Sequence, residues 1–523
     1  MNDITRRSMI GALAATGAQL TLADLARAQS PAPARAPRFG FDDVILRARE
    51  LAGAPFEDQT PRLPDPFNAL EYDAWRDIRF KSDHALFANS GAAFRLETFH
   101  LGFLYRRAVT VNTIRDGIAT PIPYSPTMFD YGRLKIDKPP PVNIGFSGFR
   151  LHFPVNEPHV YDEVVSFLGA SYFRFLGRDQ KYGLSARALC VEAGTEKESF
   201  PFFREFWIDT PQAGSYRATI YALLDGEAAT GAYRFDLITG QESYVDVQAT
   251  LFARRAGVKF GFAPLTSMYL TGENDRRAHD GFRNELHDSD GLLMHSGAGE
   301  WIWRPLGNPP QERMSSFVDS NTRGFGLLQR DRTFESYQDL DLAYENRPSY
   351  YVEPAENWGE GRVELVELPT ADEANDNIVA SWIGAKGPEP GKPFTFAYRI
   401  TSALDLPRLS PNGRVVNTFQ ANARALGSSE PMDPGSHRFM VDFAGGDLAY
   451  FVSDPTQVEA VASASNGRVL RASVAANAHI DGLRALFDVA VKPGQTSDMR
   501  LFLRVGSRTL TETWTFPWTA PAA

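Results

Sequence analysis

Acidic side chains interspersed with aromatic and arginine residues are the chemically most informative feature of this sequence. It contains 64 Asp and Glu residues, 54 Lys and Arg residues and 12% aromatic residues. Aromatic faces stack on sugar rings, and glycoside hydrolysis needs one carboxyl group as an acid and a second as a base. The mixture is typical of a polysaccharide cleft, although large β cores are also rich in aromatics. Composition alone does not single out the pair.

Other catalytic chemistries lack their motifs. The sequence has no Gly-x-Ser-x-Gly, His-Glu-x-x-His or Cys-x-x-Cys, and its nine histidines are scattered. Asp288-Ser289-Asp290-Gly291 looks like part of a calcium loop, but the glycine comes too early and Gly299 stands where an acidic residue is needed. We therefore expect no metal and no organic cofactor. The single cysteine, Cys190, is expected to be a small buried residue in a strand.

The net charge of −10 argues against a nucleic-acid partner, because phosphate backbones are bound by basic surfaces. A neutral polymer suits this charge. The N-terminus carries Arg6-Arg7, a weakly apolar stretch from Met9 to Leu22, and small residues around Arg27. This pattern predicts a removable twin-arginine signal at 1–28 and a periplasmic location. No later segment is apolar enough to predict a stable membrane insertion.

The elements that must position any site are predicted to be mostly strands. Residues 29–40 are rich in Pro and Ala and should form a spacer, and Phe41 to Ala52 has helical spacing with an acidic first turn. Short-period segments indicate strands; they cover Arg95 to Phe103, Thr219 to Leu224, Tyr233 to Ile238 and Ser243 to Ala253.

A Gly- and Pro-rich segment, 385–393, predicts a linker between two domains. The first would span 41–384. The second, 394–523, has the length and short alternating segments of an immunoglobulin-like sandwich. The expected fold class is therefore mainly β, without the strand and helix alternation of α/β folds.

Several strings, taken in order, resemble one family. They include Leu168-Gly169-Ala170-Ser171-Tyr172-Phe173-Arg174, Glu285-Leu286-His287-Asp288-Ser289, Gly299-Glu300-Trp301-Ile302-Trp303-Arg304-Pro305, Arg347-Pro348-Ser349, Trp358-Gly359 and Asn375-Asp376-Asn377-Ile378-Val379-Ala380. From about Phe41 to about Trp514 the chain is similar to the osmoregulated periplasmic glucan biosynthesis family (OpgG/OpgD). Its twin-arginine leader is similar to that of OpgD-type members.

This resemblance implies a large N-terminal β-sandwich like galactose mutarotase, followed by the immunoglobulin-like domain. It implies action on β-1,2-linked glucan, as an anomer-inverting endo-β-1,2-glucanase or a transglycosylase. The alternative is a non-catalytic glucan-binding scaffold that works with a membrane glucosyltransferase. A mutarotase-like epimerase is a third hypothesis, but it rests on fold alone.

Roles for three residues follow from the resemblance. Asp376 matches the general acid, Asp288 matches the general base, and Tyr344 is the candidate for a proton relay. From the sequence alone, both aspartates are equally typical of turns, where Asp hydrogen-bonds its own backbone. Asn357, ahead of Trp358, departs from the acidic residue usual in relatives.

Eight further residues are candidates for sugar contact. Trp301 and Trp303 alternate on a predicted strand and so share one face, as either a core-facing pair or a sugar platform. Glu300 and Arg304 share the opposite face and could simply pair with each other. Weaker candidates, each open to a structural role, are Tyr172, Arg187, Arg347 and Trp358.

Overall fold

The computed structural model describes residues 38–58, 62–136, 141–142, 144–276, 281–423 and 435–522. The twin-arginine signal and residues 29–37 of the spacer lie outside these ranges, so both stay predictions. Across the described part of the chain, no helix has the length and apolar character needed to cross a membrane.

Helices are few and short in the described residues. The predicted helix at 41–52 is confirmed as α1, Phe41–Ala52, in which Asp43 accepts a hydrogen bond from the Gly40 N–H at 2.8 Å. The other α-helices are α2, Tyr72–Arg76, and α3, Phe334–Tyr337. Short 3-10 turns cover Phe67–Ala69, Ser82–His84, Pro126–Met128, Tyr344–Asn346, Leu448–Phe451 and Pro455–Gln457.

Strands make up most of the remaining chain, which confirms the prediction of a mainly β fold. The first group comprises β1 Arg79–Phe80, β2 Arg95–Phe99, β3 Thr110–Arg115, β4 Ile118–Pro121, β5 Phe129–Asp130, β6 Gly148–Phe153, β7 Asp162–Leu168, β8 Tyr172–Phe175, β9 Ser185–Arg187, β10 Leu189–Val191 and β11 Phe202–Asp209. The second comprises β12 Arg217–Asp225, β13 Ala229–Ile238, β14 Ser243–Ala253, β15 Phe260–Ser267, β16 Tyr269–Thr271, β17 Leu286–His287, β18 Gly291–His295, β19 Trp301–Pro305, β20 Arg313–Ser320, β21 Gly324–Leu328 and β22 Ser349–Pro354. The third comprises β23 Glu360–Glu367, β24 Ile378–Gly384, β25 Pro393–Ala403, β26 Arg414–Asn422, β27 Ser436–Ala444, β28 Glu459–Ala464, β29 Arg468–Asn477, β30 Gly482–Ala490, β31 Thr496–Val505, β32 Arg508–Thr509 and β33 Thr513–Thr519.

Two large sheets enclose the first core. One runs β2-β6-β7-β8-β9-β15-β24-β23-β20, with β10 also on β15. The other runs β28-β31-β33-β19-β18-β21-β22-β25-β14-β13-β12-β11-β3-β4. Their apolar faces meet in aromatic contacts such as Phe167 of β7 against Phe235 of β13, with ring centroids 5.1 Å apart. Cys190 is buried on β10, as its sequence context predicts.

A second core lies between the C-terminal end of the larger sheet and a four-stranded sheet, β26-β27-β30-β29. Phe439, Phe487 and Trp514 pack at its centre. Strand β25, which begins at Pro393, pairs with β14 and β22 in the larger sheet. Its Phe396, Tyr398 and Ile400 side chains pack in the first core, and its last residue, Ala403, lies in the second. We therefore propose that the domain boundary falls after Ala403 instead of at 385–393.

Candidate functional site

The candidate site lies where β9, β15 and β24 meet. Thr266 near the end of β15 pairs with Ser185, the first residue of β9, and with Val379 on β24. Asp376 comes two residues before β24 begins, and the Asp288 N–H donates to the Met268 carbonyl just after β15 ends, at 2.8 Å. Antiparallel pairing thus brings two aspartates from distant segments to one end of a sheet.

Asn377 anchors the loop that carries Asp376. Its side-chain oxygen accepts the Tyr269 N–H at 2.8 Å, and its amide donates to the carbonyls of Tyr269 and Leu368, both at 3.0 Å. The Leu368 N–H in turn donates to the Asn377 carbonyl at 2.8 Å. Asn377 is only 2% exposed. These bonds fix the base of the loop and so the position of Asp376.

Asp288 is buried and forms an ion pair with Arg347, whose Nη1 donates to Oδ1 of the carboxylate. The guanidinium also lies 3.6 Å from the ring centroid of Tyr344. Gly183 leaves room for this arginine, since a Cβ there would meet the Arg347 side chain at 3.0 Å. The ion pair supplies a counter-charge for an ionised Asp288.

Asp376 has a different environment. Its side chain is exposed, yet the surrounding protein excludes enough bulk water to raise its pKa. The positive charge of Arg174 opposes this effect, the negative charge of Asp288 raises the pKa further, and Arg187 and Arg347 oppose it. One aspartate is thus paired with a cation, while the other is shifted towards its protonated form in the same electrostatic neighbourhood.

Tyr344 is buried beside Asp288 but does not hydrogen-bond to it. Its hydroxyl donates to Glu373 at 2.8 Å, and Glu373 also accepts from Arg283 at 2.8 Å. Burial raises the pKa of Tyr344; Arg347 lowers it, and Glu373 and Asp288 raise it. The relay role of Tyr344 remains a prediction, and it requires the hydroxyl to turn away from Glu373.

Tyr172, Arg187 and Arg347, three of the weaker cleft candidates, lie near the two aspartates. Tyr172 pairs with Arg187 across β8 and β9, and the Arg187 guanidinium lies 5.2 Å from the Tyr172 ring centroid. The charge of Asp376 raises the pKa of Tyr172, after the larger effect of burial and against the opposing effect of Arg187.

The other candidates have structural partners away from the aspartates. Trp303 is buried in the second core with Arg330 over its ring at 3.6 Å, and Trp301 stacks on His295 at 4.0 Å, which favours the core-facing interpretation. Trp358 packs against the first core.

Glu300 and Arg304 do not pair with each other, so that one of the two alternatives left open by the sequence is excluded. Arg304 is 1% exposed and pairs with buried Glu367 at 2.7 Å. Glu300 instead pairs with Arg500 at 2.5 Å. A fully buried Arg304 is not available to a sugar.

A buried group with metal-ligand atoms, Glu285, His287 and Asp290, occurs in the described residues. His287 Nδ1 faces the Gln329 side-chain oxygen at 2.9 Å, and Nε2 faces Glu285 at 3.0 Å. Both nitrogens therefore donate. Burial lowers the pKa of His287, but the charges of Asp290 and Glu285 raise it to about 9. These contacts join His287, Glu285 and Asp290 in an internal ion cluster.

The sequence analysis did not identify Asn377 or Glu373 as residues of the site. Asn377 stands beside Asp376 in the family string, so adjacency was an available signal. Glu373 lies three residues before Asp376, so the sequence offered it only as a charge that could raise the pKa of Asp376. Its contact with Tyr344 spans 29 residues and depends on folding.

Sequence comparisons with known proteins point to one family. The family model described as "Periplasmic glucan biosynthesis protein, MdoG" matches residues 39–518. The chain is 43% identical over 519 residues to the "Probable glucans biosynthesis protein D" of Shewanella oneidensis, covering 98% of this chain and 95% of the relative. It is 44% identical over 514 residues to "Glucans biosynthesis protein D 1" of Ralstonia nicotianae, covering 95% of each.

A solved polysaccharide lyase overlays with a TM-score of 0.18 at 9% identity, over 66% of this chain and 40% of the lyase. This similarity is too low to indicate a shared fold. The family match and the relatives span nearly the whole chain. The chain therefore belongs to the periplasmic glucan biosynthesis (MdoG) family.

Proposed function

We propose that this protein is an anomer-inverting endo-β-1,2-glucanase or a transglycosylase acting on the same glucan. The observation that carries the proposal is the contrast between Asp376 and Asp288. The pKa of exposed Asp376 is raised, whereas buried Asp288 is paired with Arg347. Acid and base roles in glycoside hydrolysis need two carboxyl groups whose environments differ in this way.

Asp376 acts as the general acid in this proposal. It reaches solvent, so a sugar can approach it, and its raised pKa favours the protonated form that donates to the leaving glycosidic oxygen. As the bond to the anomeric carbon breaks, Asp376 becomes a carboxylate. Arg174, Arg187 and Arg347, which oppose the rise in its pKa, then stabilise the new negative charge.

Asp288 acts as the general base in this proposal. It accepts a proton from the incoming hydroxyl, and the Arg347 ion pair holds its orientation. Because Asp288 is 4% exposed, the proton travels to it through water and through Tyr344. The Tyr344 hydroxyl must first rotate away from Glu373. Water as the acceptor gives hydrolysis with inversion, and a sugar hydroxyl in the same position gives transfer.

The substrate assignment draws on the family. Members are described as glucan biosynthesis proteins, and a neutral polymer suits a chain with a net charge of −10. We further propose export through the twin-arginine pathway and action beside a membrane glucan glucosyltransferase. Glucan is the proposed ligand; no nucleic acid is expected.

The test uses mature protein, linear β-1,2-glucan and single-residue variants. Wild type should shorten or transfer the chain, and NMR of the first product should show the anomer opposite to the substrate linkage. Asp376→Asn and Asp288→Asn should each lower kcat at least about 1,000-fold, the scale of lost acid–base catalysis. Asp341→Asn is the matched control, because Asp341 is an exposed aspartate.

The rival scaffold hypothesis gives a different result. It predicts that wild type binds the glucan without changing chain length, and that Asp376→Asn binds equally well. Retention of the anomeric configuration would overturn the inverting mechanism while leaving a glucan-active enzyme.

A further inference from the structure

A cavity of about 380 Å³ with a largely aromatic wall lies beside Tyr172, one of the candidate cleft residues. Tyr172 pairs with Arg187 on β9, the strand that meets β15 at the candidate site, and Tyr105 forms another part of the cavity wall. The charge of Asp376 adds to the rise that burial causes in the pKa of both tyrosines, which agrees with this placement. Its other lining includes Phe200 and Phe202.

Phe200 presents an aromatic face at this cavity. Phe200 is 51% exposed, so its ring is accessible to a ligand. Arg187 lies 4.6 Å from the Phe200 ring centroid and 5.2 Å from that of Tyr172. Arg187 is 2% exposed and pairs with Glu198 at 3.3 Å, so a fixed cation supports both rings. The two rings are held in place while Phe200 stays open to solvent.

A second cavity, of about 620 Å³, shares Arg107 and Phe202 with the first. The Arg107 guanidinium lies 3.7 Å from the Phe202 ring centroid and pairs with Asp58 at 2.6 Å. The lining beyond this pair is mostly polar and includes Glu50 of α1 and Arg204 of β11. Aromatic surface near Asp376 thus gives way to hydrogen-bonding groups farther along.

We propose, resting on the proposed function, that these two cavities bind the part of the glucan chain remote from the cleaved linkage. Rings stack on Phe200 and Tyr172 in the first cavity, and hydroxyls bond to the polar groups of the second. Such a ligand is neutral, amphipathic and elongated, as this succession of surfaces requires. The protein would then select glucans by chain length, because only long chains reach past Phe202.

The test measures KM against chain length for a series of defined β-1,2-glucans. Wild type should show KM falling as the chain lengthens. Phe200→Ala should raise KM for long chains about tenfold, the effect of losing one well-placed aromatic contact, and remove most of that fall. Glu50→Ala should raise KM only for the longest chains. Tyr450→Ala is the control, since Tyr450 is an aromatic residue 80% exposed elsewhere.

Binding measured in the Asp376→Asn background separates this inference from the proposed function. If wild type does not cleave glucan but Phe200→Ala still weakens calorimetric binding of long chains, the cavities bind glucan and the enzyme proposal fails. If wild type cleaves glucan and Phe200→Ala keeps the wild-type dependence of KM and Kd on length, the chain runs elsewhere and the inference is overturned.

Discussion

At the scale of single residues, two aspartates differ because their neighbours differ. Asp288 is buried but paired with Arg347, so its charge is balanced where it lies. Asp376 is open to solvent on one side, but the protein around it raises its pKa. In the proposed mechanism this contrast gives identical side chains opposite tasks, as in enzymes with paired carboxyl groups.

The raised pKa of Asp376 predicts a measurable stability cost. An acid whose pKa is raised by folding favours the folded state below its unfolded pKa of about 3.9, and that contribution is lost as pH rises through the folded value. Asp376→Asn should therefore have a higher Tm than wild type at pH 7, and a Tm equal to or below that of wild type near pH 3. Calorimetric melting at both pH values checks this.

The control for this prediction is Asp341→Asn, which should shift Tm little at either pH. A Tm of Asp376→Asn equal to or below that of wild type at pH 7 would contradict the predicted stability cost. Activity offers a second check: kcat/KM of wild type should fall with rising pH on a limb set by Asp376, above the ordinary Asp range.

Residue roles were predictable only as far as the family strings reach. The resemblance selected Asp376 and Asp288, whereas composition could not choose among 64 acidic residues. A shared strand face left open a pairing of Glu300 with Arg304, whereas the folded chain pairs Glu300 with Arg500 and Arg304 with Glu367. Such partners come from distant segments and leave no local signal.

At the scale of elements, the end of the β23–β24 loop that adjoins β24 is anchored by the Asn377 side chain. Asn377 is buried and bonds to both backbone groups of Tyr269, while Asn375, on the other side of Asp376, is exposed and bonds to Asp372 at 3.0 Å. The two asparagines form a matched pair for mutation, since they flank the same aspartate.

Asn377→Ala should lower the unfolding free energy by about 2–3 kcal/mol, because it leaves buried backbone groups unsatisfied. It should also lower kcat, because Asp376 loses its fixed position. Asn375→Ala should change both much less. Urea unfolding and glucan assays on the two variants test this; equal effects in both would show that Asn377 does not position the loop.

A second prediction at this scale comes from the buried ion cluster around His287 in β17. The pKa of His287 is raised from 6.5 to about 9. Burial and the negative charges of Glu285 and Asp290 raise the pKa of Glu273 to about 8. For His287, the stabilisation is complete below about pH 6.5 and is lost as pH rises through about 9. This difference between the two pKa values of His287 corresponds to on the order of 3 kcal/mol of folding free energy.

His287→Gln should therefore lower Tm at pH 6 more than at pH 9.5, and the loss of stability between these values should become shallower. Melting curves across this range measure it. His479→Gln is the control, because His479 is exposed. An unchanged pH slope in His287→Gln would show that the imidazole is neutral in the folded protein.

Element positions were more predictable than element partners. The pattern of Ser243 to Ala253 matched β14, and Phe41 to Ala52 matched α1, because periodicity is a local property. The placement of β25 was not predictable for two reasons. It pairs with β14, which lies about 150 residues earlier in the chain, and the Gly- and Pro-rich segment just before it has the composition of a domain boundary.

At the scale of the whole described chain, the second core is tied to the larger sheet. β19 pairs in parallel with β33, so one sheet continues from the first core into the second. Glu512, fully buried, pairs with Arg330 at 2.8 Å and accepts the Val415 N–H at 3.1 Å. This connection argues against two independently folding units.

Glu512→Gln should therefore destabilise the protein as a whole. It leaves the buried Arg330 guanidinium without its counter-charge, and breaking such a pair costs about 3–5 kcal/mol. Glu459→Gln is the matched control, because its pair with Arg504 is exposed on the same C-terminal strands, where solvent screens the charges. Tryptophan fluorescence, which reports on tryptophans of both cores, such as Trp382 in the first and Trp514 in the second, and far-ultraviolet circular dichroism should follow a single transition in denaturant. Glu512→Gln should move both curves together. Two separate transitions, of which Glu512→Gln displaces only one, would instead mean that the C-terminal core unfolds alone.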